Sequence, residues 1–160
     1  MRNISNHVSY NEAIRSNTAR RYGMRNYPNA QALANMKLVS EKIFEPLRGA
    51  NGNIPIRINS FYRSVRLNRA IGGSSRSQHC KGQAIDLDDT YGGMSNMEMA
   101  QWIIDNLDFD QLILEFPIKG QPQWVHVSYV SPEKNRNRVL VAKRIKGKTK
   151  YLFWNGKNHL

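Results

Sequence analysis

Asp110-Gln111-Leu112-Ile113-Leu114-Glu115-Phe116 leads through a loop, Pro117 to Gln123, into Trp124-Val125-His126-Val127-Ser128-Tyr129-Val130. Both runs are rich in branched and aromatic apolar residues and are separated by Pro and Gly, so they read as two strands. Alternation sends Trp124, His126 and Ser128 to one face and Val125, Val127 and Tyr129 to the other. If the strands pair as a hairpin, Glu115 comes near Trp124, and Gln111, Ile113 and Glu115 share the face of His126. Working outward, Gln83 to Leu87 reads as another strand, as do the alternating Ile54, Ile56 and Ile58. Val139 to Ile145 and Lys150 to Trp154 read as a terminal hairpin across Lys146-Gly147-Lys148. Three helices are expected. The first is capped by Asn29, carries Leu33, Met36, Ile43, Phe44 and Leu47, and ends before Gly49. A short one follows Ser64, with Leu67, Ala70 and Ile71 inward. The third opens on a capping box, Ser95-Asn96-Met97-Glu98. Strands adjacent in sequence favour an α+β fold, a single domain with an antiparallel sheet and about three helices, over a doubly wound one. Within it, residues 1–28 read as an N-terminal arm, 29–132 as the core and 133–160 as a basic hairpin packed on that core.

The chain has 160 residues, 40% apolar and 22% charged, which suits one soluble globular domain. No apolar run approaches the roughly 18–20 residues of a membrane span. The first residues lack the apolar core and cleavage site of a signal peptide, so Sec export is not expected. Cys80 is the single cysteine, which excludes an internal disulfide framework and any CxxC motif. The net charge of +12 should attract polyanions such as nucleic acid, an anionic membrane surface or an anionic cell-wall polymer. Residues 133–160 hold nine Lys and Arg and one acid, Glu133, whereas residues 86–118 hold eight acids and no Lys or Arg. A merely solvated basic face is an equal alternative. No nucleic-acid recognition motif accompanies the charge, so a specific nucleic-acid partner is not expected.

Of four histidines, His7 and His159 fall in the expected tails, leaving His79 and His126. Taken alone, His79 reads as a loop histidine, Asp86 as a strand-end cap and His126 as a satisfied core histidine. Taken together they offer two imidazole nitrogens and a carboxylate. Three such ligands with an open fourth position are the pattern of a catalytic zinc site, whereas structural zinc is usually closed by four. Cys80 beside His79 reads as a structural or free thiol. Asp88 and Asp89 read as a solvent-facing turn with Tyr91-Gly92-Gly93.

The string Ser77-x-His79-x-x-Gly82-x-Ala84-x-Asp86, with the later Trp124-Val125-His126, resembles the zinc D-Ala-D-Ala metallopeptidases of the peptidase M15 group, which have a hedgehog/DD-peptidase-like fold. A chance match to its five fixed positions is on the order of one in a million per start. The likeness extends to Ser60-Phe61-Tyr62-Arg63-Ser64, to Leu67-Asn68 through Gly72-Gly73-Ser74, and to Phe109-Asp110-Gln111-Leu112-Ile113 through Glu115, covering about residues 30–130. The resemblance implies that His79, Asp86 and His126 bind one Zn²⁺ per chain and that Arg63 holds a substrate carboxylate. Arg63 suits that task through its planar fork, although a surface arginine or an ion pair is the alternative. Ser77 serves either the site loop or the substrate. A general base must move the proton of the attacking water, and Glu115 is the choice, the alternatives being a pair with Lys119 or a strand cap. Gln111 and Trp124 are candidate substrate contacts. Some family members have a histidine two positions before the last zinc ligand or a glutamate three before it; Trp124 and Gln123 stand there in this chain. The function implied is hydrolysis of an amide in peptidoglycan stem peptides, by a carboxypeptidase or endopeptidase of the phage cell-wall lytic type. Such an enzyme would reside in the host cytoplasm or virion, act on the wall after release, and use its basic C-terminal region to meet anionic wall polymers. A non-catalytic zinc-bearing binding module is the alternative.

Overall fold

A computed structural model describes residues 3–156 and 160, so His159 lies outside the described residues. Six strands form one sheet: β1 (Arg57–Ser60), β2 (Ala84–Asp88), β3 (Gln111–Glu115), β4 (Trp124–Ser128), β5 (Arg138–Ile145) and β6 (Lys148–Phe153), in the spatial order β1-β2-β4-β3-β5-β6. The α+β class is as expected, but the sheet is mixed. β3 and β5 run parallel, with Ile113 opposite Leu140 and Glu115 opposite Ala142, while every other pair is antiparallel. After β4 the chain passes the start of β3 and returns on its far side. That crossing is fixed by backbone bonds from Asn137 N–H to the Phe109 carbonyl and from Arg138 N–H to the Asp110 carbonyl.

The helices are α1 (Tyr10–Ala13), α2 (Asn17–Arg21), α3 (Ala30–Val39), α4 (Glu45–Ala50), α5 (Val65–Ala70) and α6 (Asn96–Asn106). The Asn29 side chain accepts the Ala32 N–H at 2.8 Å and so caps α3. A single wide turn, Ser40–Phe44, joins α3 to α4. Pro46 follows it and has no N–H to donate back, a defect that such a wide turn absorbs without ending the helix. Gly49 lies inside α4 rather than after it, and Asn51 forms the cap. Both bonds of the Ser95–Glu98 capping box are made at the start of α6. In α5 only Leu67 of the expected inward trio is buried; Ala70 and Ile71 are exposed, because the helix is a single short excursion over the surface.

The two faces of the sheet differ. Ile58, Ile85, Leu87, Leu112, Leu114, Val125, Val127 and Val141 pack against Met36, Val39, Ile43, Phe44, Leu47, Met99 and Ile103 from the helices. At about 1.5–3 kcal/mol for each buried aliphatic side chain, this layer dominates stability. Ile4, Val8 and Ala13 join the same core, and His7 Nδ1 lies 2.6 Å from Glu45 Oε2. The opposite face carries a small apolar cluster of Ile113, Leu140 and Ala142 with Phe116 against it. It also carries the polar residues of the site. Asp88 and Asp89 are half-buried rather than a loose turn: their carboxylates accept bonds from Asn96 and from the Asp89 backbone and tie β2 to α6.

Candidate metal centre

Asp86 and His126 are direct partners in the β2–β4 ladder. Opposed residues share a face, so the two side chains meet. His126 Nδ1 lies 2.9 Å from Asp86 Oδ1, and His79 Nε2 lies 3.2 Å from Asp86 Oδ2. The imidazole centroids of His79 and His126 are 5.1 Å apart. One ligand atom from each of the three residues lies within 4.8 Å of the others, so together they could hold a metal ion.

His79 reaches this point from a 3₁₀ turn, Gln78–Lys81, whose loop character was legible but whose burial was not: His79 is 1% exposed. Gly82 ends the turn at φ +68°, where a Cβ would stand 2.3 Å from the Ala32 carbonyl oxygen. Only glycine lets the loop seat so closely on α3. The register of β1 shifts between Ile58 and Ser60, an irregularity that bends the chain into Phe61. The Phe61 carbonyl oxygen then lies 2.7 Å from His79 Nδ1. A carbonyl can only accept, so Nδ1 carries the proton and Nε2 keeps its lone pair. Nε2 is buried and makes no hydrogen bond. An orphaned, buried imidazole nitrogen beside a carboxylate fits a metal ion. Burial also pushes the His79 pKa down, against the pull of Asp86, and so favours the neutral ring a metal requires. Burial alone would raise the Asp86 pKa; a proton on a facing imidazole, His79 first and then His126, reverses this and lowers it.

Glu115 stands opposite Trp124, the next pair on this face after Ile113 and His126. It is 8% exposed. Burial pushes its pKa up to about 7, against His126 and Arg63 and with help from Asp86. Among the described residues no ion pair joins it to Lys119. The chain leaves β3 at Phe116 with φ +46°, and the Phe116 ring packs on Trp124 with centroids 5.6 Å apart. Arg63 is held beside His79 by its own backbone N–H, which donates to the His79 carbonyl at 3.3 Å. Its Nε is buried without a partner. Arg63 thus borders the metal group with guanidinium donors to spare. Gln111 lies on the site face, and its Oε1 accepts from Arg138 Nη2 at 2.5 Å. Ser77 precedes the 3₁₀ turn and makes no capping bond with its side chain. Cys80 is a free thiol whose pKa burial pushes up, and it is not part of the metal group.

Two contributors were not legible. The Phe61 carbonyl is backbone and leaves no residue signature. Asp110, 2% exposed, accepts from Gln78 Nε2 at 2.9 Å and from Arg136 Nε and Nη2 at 2.8 and 2.7 Å. It thereby ties the residue before His79 to the segment entering β5. An acid at a strand start, without its distant partners in view, gives no hint of that role.

The peptidase M15 family pattern matches residues 6–128, and the chain belongs to that family. The match takes in the Ser77–Asp86 string, Arg63, Glu115 and His126. A zinc D-Ala-D-Ala carboxypeptidase of Streptomyces albus G is 41% identical over 58 residues, a stretch covering 36% of this chain and 22% of that relative. The chain therefore aligns with less than a quarter of the relative's length.

Proposed function

We propose that this chain is a zinc metallopeptidase that hydrolyses an amide bond in peptidoglycan stem peptides, as a carboxypeptidase at D-Ala-D-Ala or as an endopeptidase of a cell-wall lytic enzyme. The observation that carries the reading is the meeting of His79 Nε2, Asp86 and His126 Nδ1, with the buried carboxyl of Glu115 on the adjacent strand. Family membership and the name of the partial relative support zinc and the D-alanyl substrate class.

His79, Asp86 and His126 would hold the zinc ion, leaving a fourth position open to substrate or water. A zinc ion bound there supplies the Lewis acidity that polarises the scissile carbonyl and eases ionisation of water. Glu115 takes the proton of the attacking water and delivers it to the leaving amine. A carboxyl whose pKa lies near neutrality is suited to both transfers. Arg63 receives the substrate carboxylate in its two-pronged guanidinium. Gln111, pinned by Arg138, and Trp124 line the approach. Glu115 occupies on the neighbouring strand the role that Trp124 and Gln123 leave unfilled, which favours a catalytic site over a binding module. In this reading the enzyme acts on the wall after release from a host cytoplasm or a virion. The exposed Lys146, Lys148 and Lys150 draw it to anionic wall polymers.

The test is digestion of purified cell walls with zinc-loaded protein, with and without chelator, followed by mass spectrometry of the released fragments. Metal-dependent release of D-alanine, for a carboxypeptidase, or of peptide fragments, for an endopeptidase, is expected. Release that persists in chelator, or none with zinc-loaded protein, contradicts the proposal.

A further inference from the structure

The family match ends at residue 128, but the face that bears the site continues across β5 and β6. Ala142 of β5 stands opposite Glu115, and Tyr151 of β6 stands opposite Ala142. Glu115 and Tyr151 therefore occupy one row on one face, two strands apart, at about 10 Å between backbones. Ala142, which stands between them in that row, is buried and offers no more than a methyl group. A tyrosine side chain can lean across such a gap. Partial burial, and after it the negative charges of Glu115 and Asp86, oppose ionisation of the phenol, which keeps it a hydrogen-bond donor. Tyr151 nevertheless remains 56% exposed and open to a ligand. In the neighbouring row Phe153 stands opposite Leu140, is 73% exposed, and has the Arg138 guanidinium carbon 5.8 Å from its ring centre.

The order of strands gives the face that bears the site a direction. Arg63 follows β1 at one edge of the sheet, the metal group bridges β2 and β4, and β6 forms the other edge. A peptide with its terminal carboxylate on Arg63 and its scissile amide at the metal group, continued in the same direction, passes over β3 and β5 toward β6.

Resting on the peptidase reading, we propose that β6 forms the acyl-side wall of the substrate cleft, with the Tyr151 hydroxyl donating a hydrogen bond to a backbone carbonyl of the bound peptide. Phe153 offers its ring to the adjoining residue. Tyr151 is then a specificity residue supplied by the hairpin outside the family segment. Substrates reaching at least one residue beyond the D-Ala-D-Ala unit feel it, and shorter ones do not.

The test is calorimetric titration of the zinc-saturated Glu115→Gln protein, alone and combined with Tyr151→Phe or Tyr151→Ala. The two probes are an N-acetylated L-Lys-D-Ala-D-Ala tripeptide and the D-Ala-D-Ala dipeptide. Tripeptide affinity should fall about five- to tenfold in Tyr151→Phe, the worth of one hydrogen bond, and further in Tyr151→Ala. Dipeptide affinity should stay within twofold. Tripeptide affinity unchanged in both variants, or equal losses for the two peptides, overturns the role of Tyr151 and leaves the peptidase reading standing. Failure of both peptides to bind the Glu115→Gln protein overturns the role of Tyr151 together with the D-Ala-D-Ala carboxypeptidase form of the reading.

Discussion

Glu115 faces Trp124 across the β3–β4 ladder, on the same side of the sheet as His126. Trp124 and Gln123 stand where some members of the family carry a histidine or a glutamate, so the proposed mechanism gives the proton transfer to Glu115, across the ladder from Trp124. Glu115→Gln keeps the shape and hydrogen-bonding capacity of the side chain but cannot accept the proton. Its turnover number should fall on the order of 10²–10⁴-fold while the zinc content stays stoichiometric. Steady-state kinetics with elemental analysis reads both. Near-normal turnover in this variant would remove Glu115 from its role.

Glu115 also sets a pH dependence of stability. Its folded pKa is about 7, raised from an ordinary 4.5. Between these values the folded state binds more protons than the unfolded state, so stability falls as pH rises. The favourable contribution is complete below the unfolded pKa and is lost as pH climbs through the folded one. In chelator, the wild type should lose on the order of 3 kcal/mol relative to Glu115→Gln between pH 4.5 and 8. Urea melts of the two proteins across this range measure the difference, and parallel curves would contradict it.

Asp110 fastens the loop of His79 to the strand pair that follows the site. Asp110→Asn weakens the two-pronged bond to Arg136 and loosens Gln78, next to His79. Zinc affinity should drop about 10–100-fold, the usual cost of disturbing a ligand's support. Competition with a chromophoric chelator reads the affinity. An unchanged zinc constant would reduce the Asp110–Arg136 pair to a local staple.

Gly82 seats the same loop on α3. In Gly82→Ala the new methyl meets the Ala32 carbonyl at a backbone angle that L residues avoid. A loss of at least about 2 kcal/mol, a fall in Tm of roughly 4–8 °C, is expected by calorimetry. A wild-type Tm would show that the loop shifts freely.

What was legible from sequence follows from how local each signal is. The alternation in 110–116 and 124–130 gave the face shared by Glu115 and His126, and the Ser95–Glu98 box gave the start of α6, because each is written in neighbouring residues. The parallel pairing of β3 with β5 is not written locally. β5 begins with a near-continuous apolar run, Val139-Leu140-Val141-Ala142, that does not say which strand it joins. The burial of Ile4 and Val8 was invisible for the same reason, since single apolar residues in a polar segment have no period. The three metal-binding candidates were legible only as a set, through the Ser77–Asp86 string and Trp124-Val125-His126. The groups that hold His79 in place are a carbonyl at Phe61 and, through Gln78, an acid at Asp110, brought near by the fold alone.

The proposed chemistry requires two rings and one carboxylate to share a single ion, and zinc-edge anomalous diffraction from a zinc-soaked crystal examines that directly. One strong peak is predicted at about 2 Å from His79 Nε2, His126 Nδ1 and an Asp86 carboxylate oxygen, absent in His126→Ala crystals. A zinc peak elsewhere on the molecule, or none between these three side chains, would contradict it.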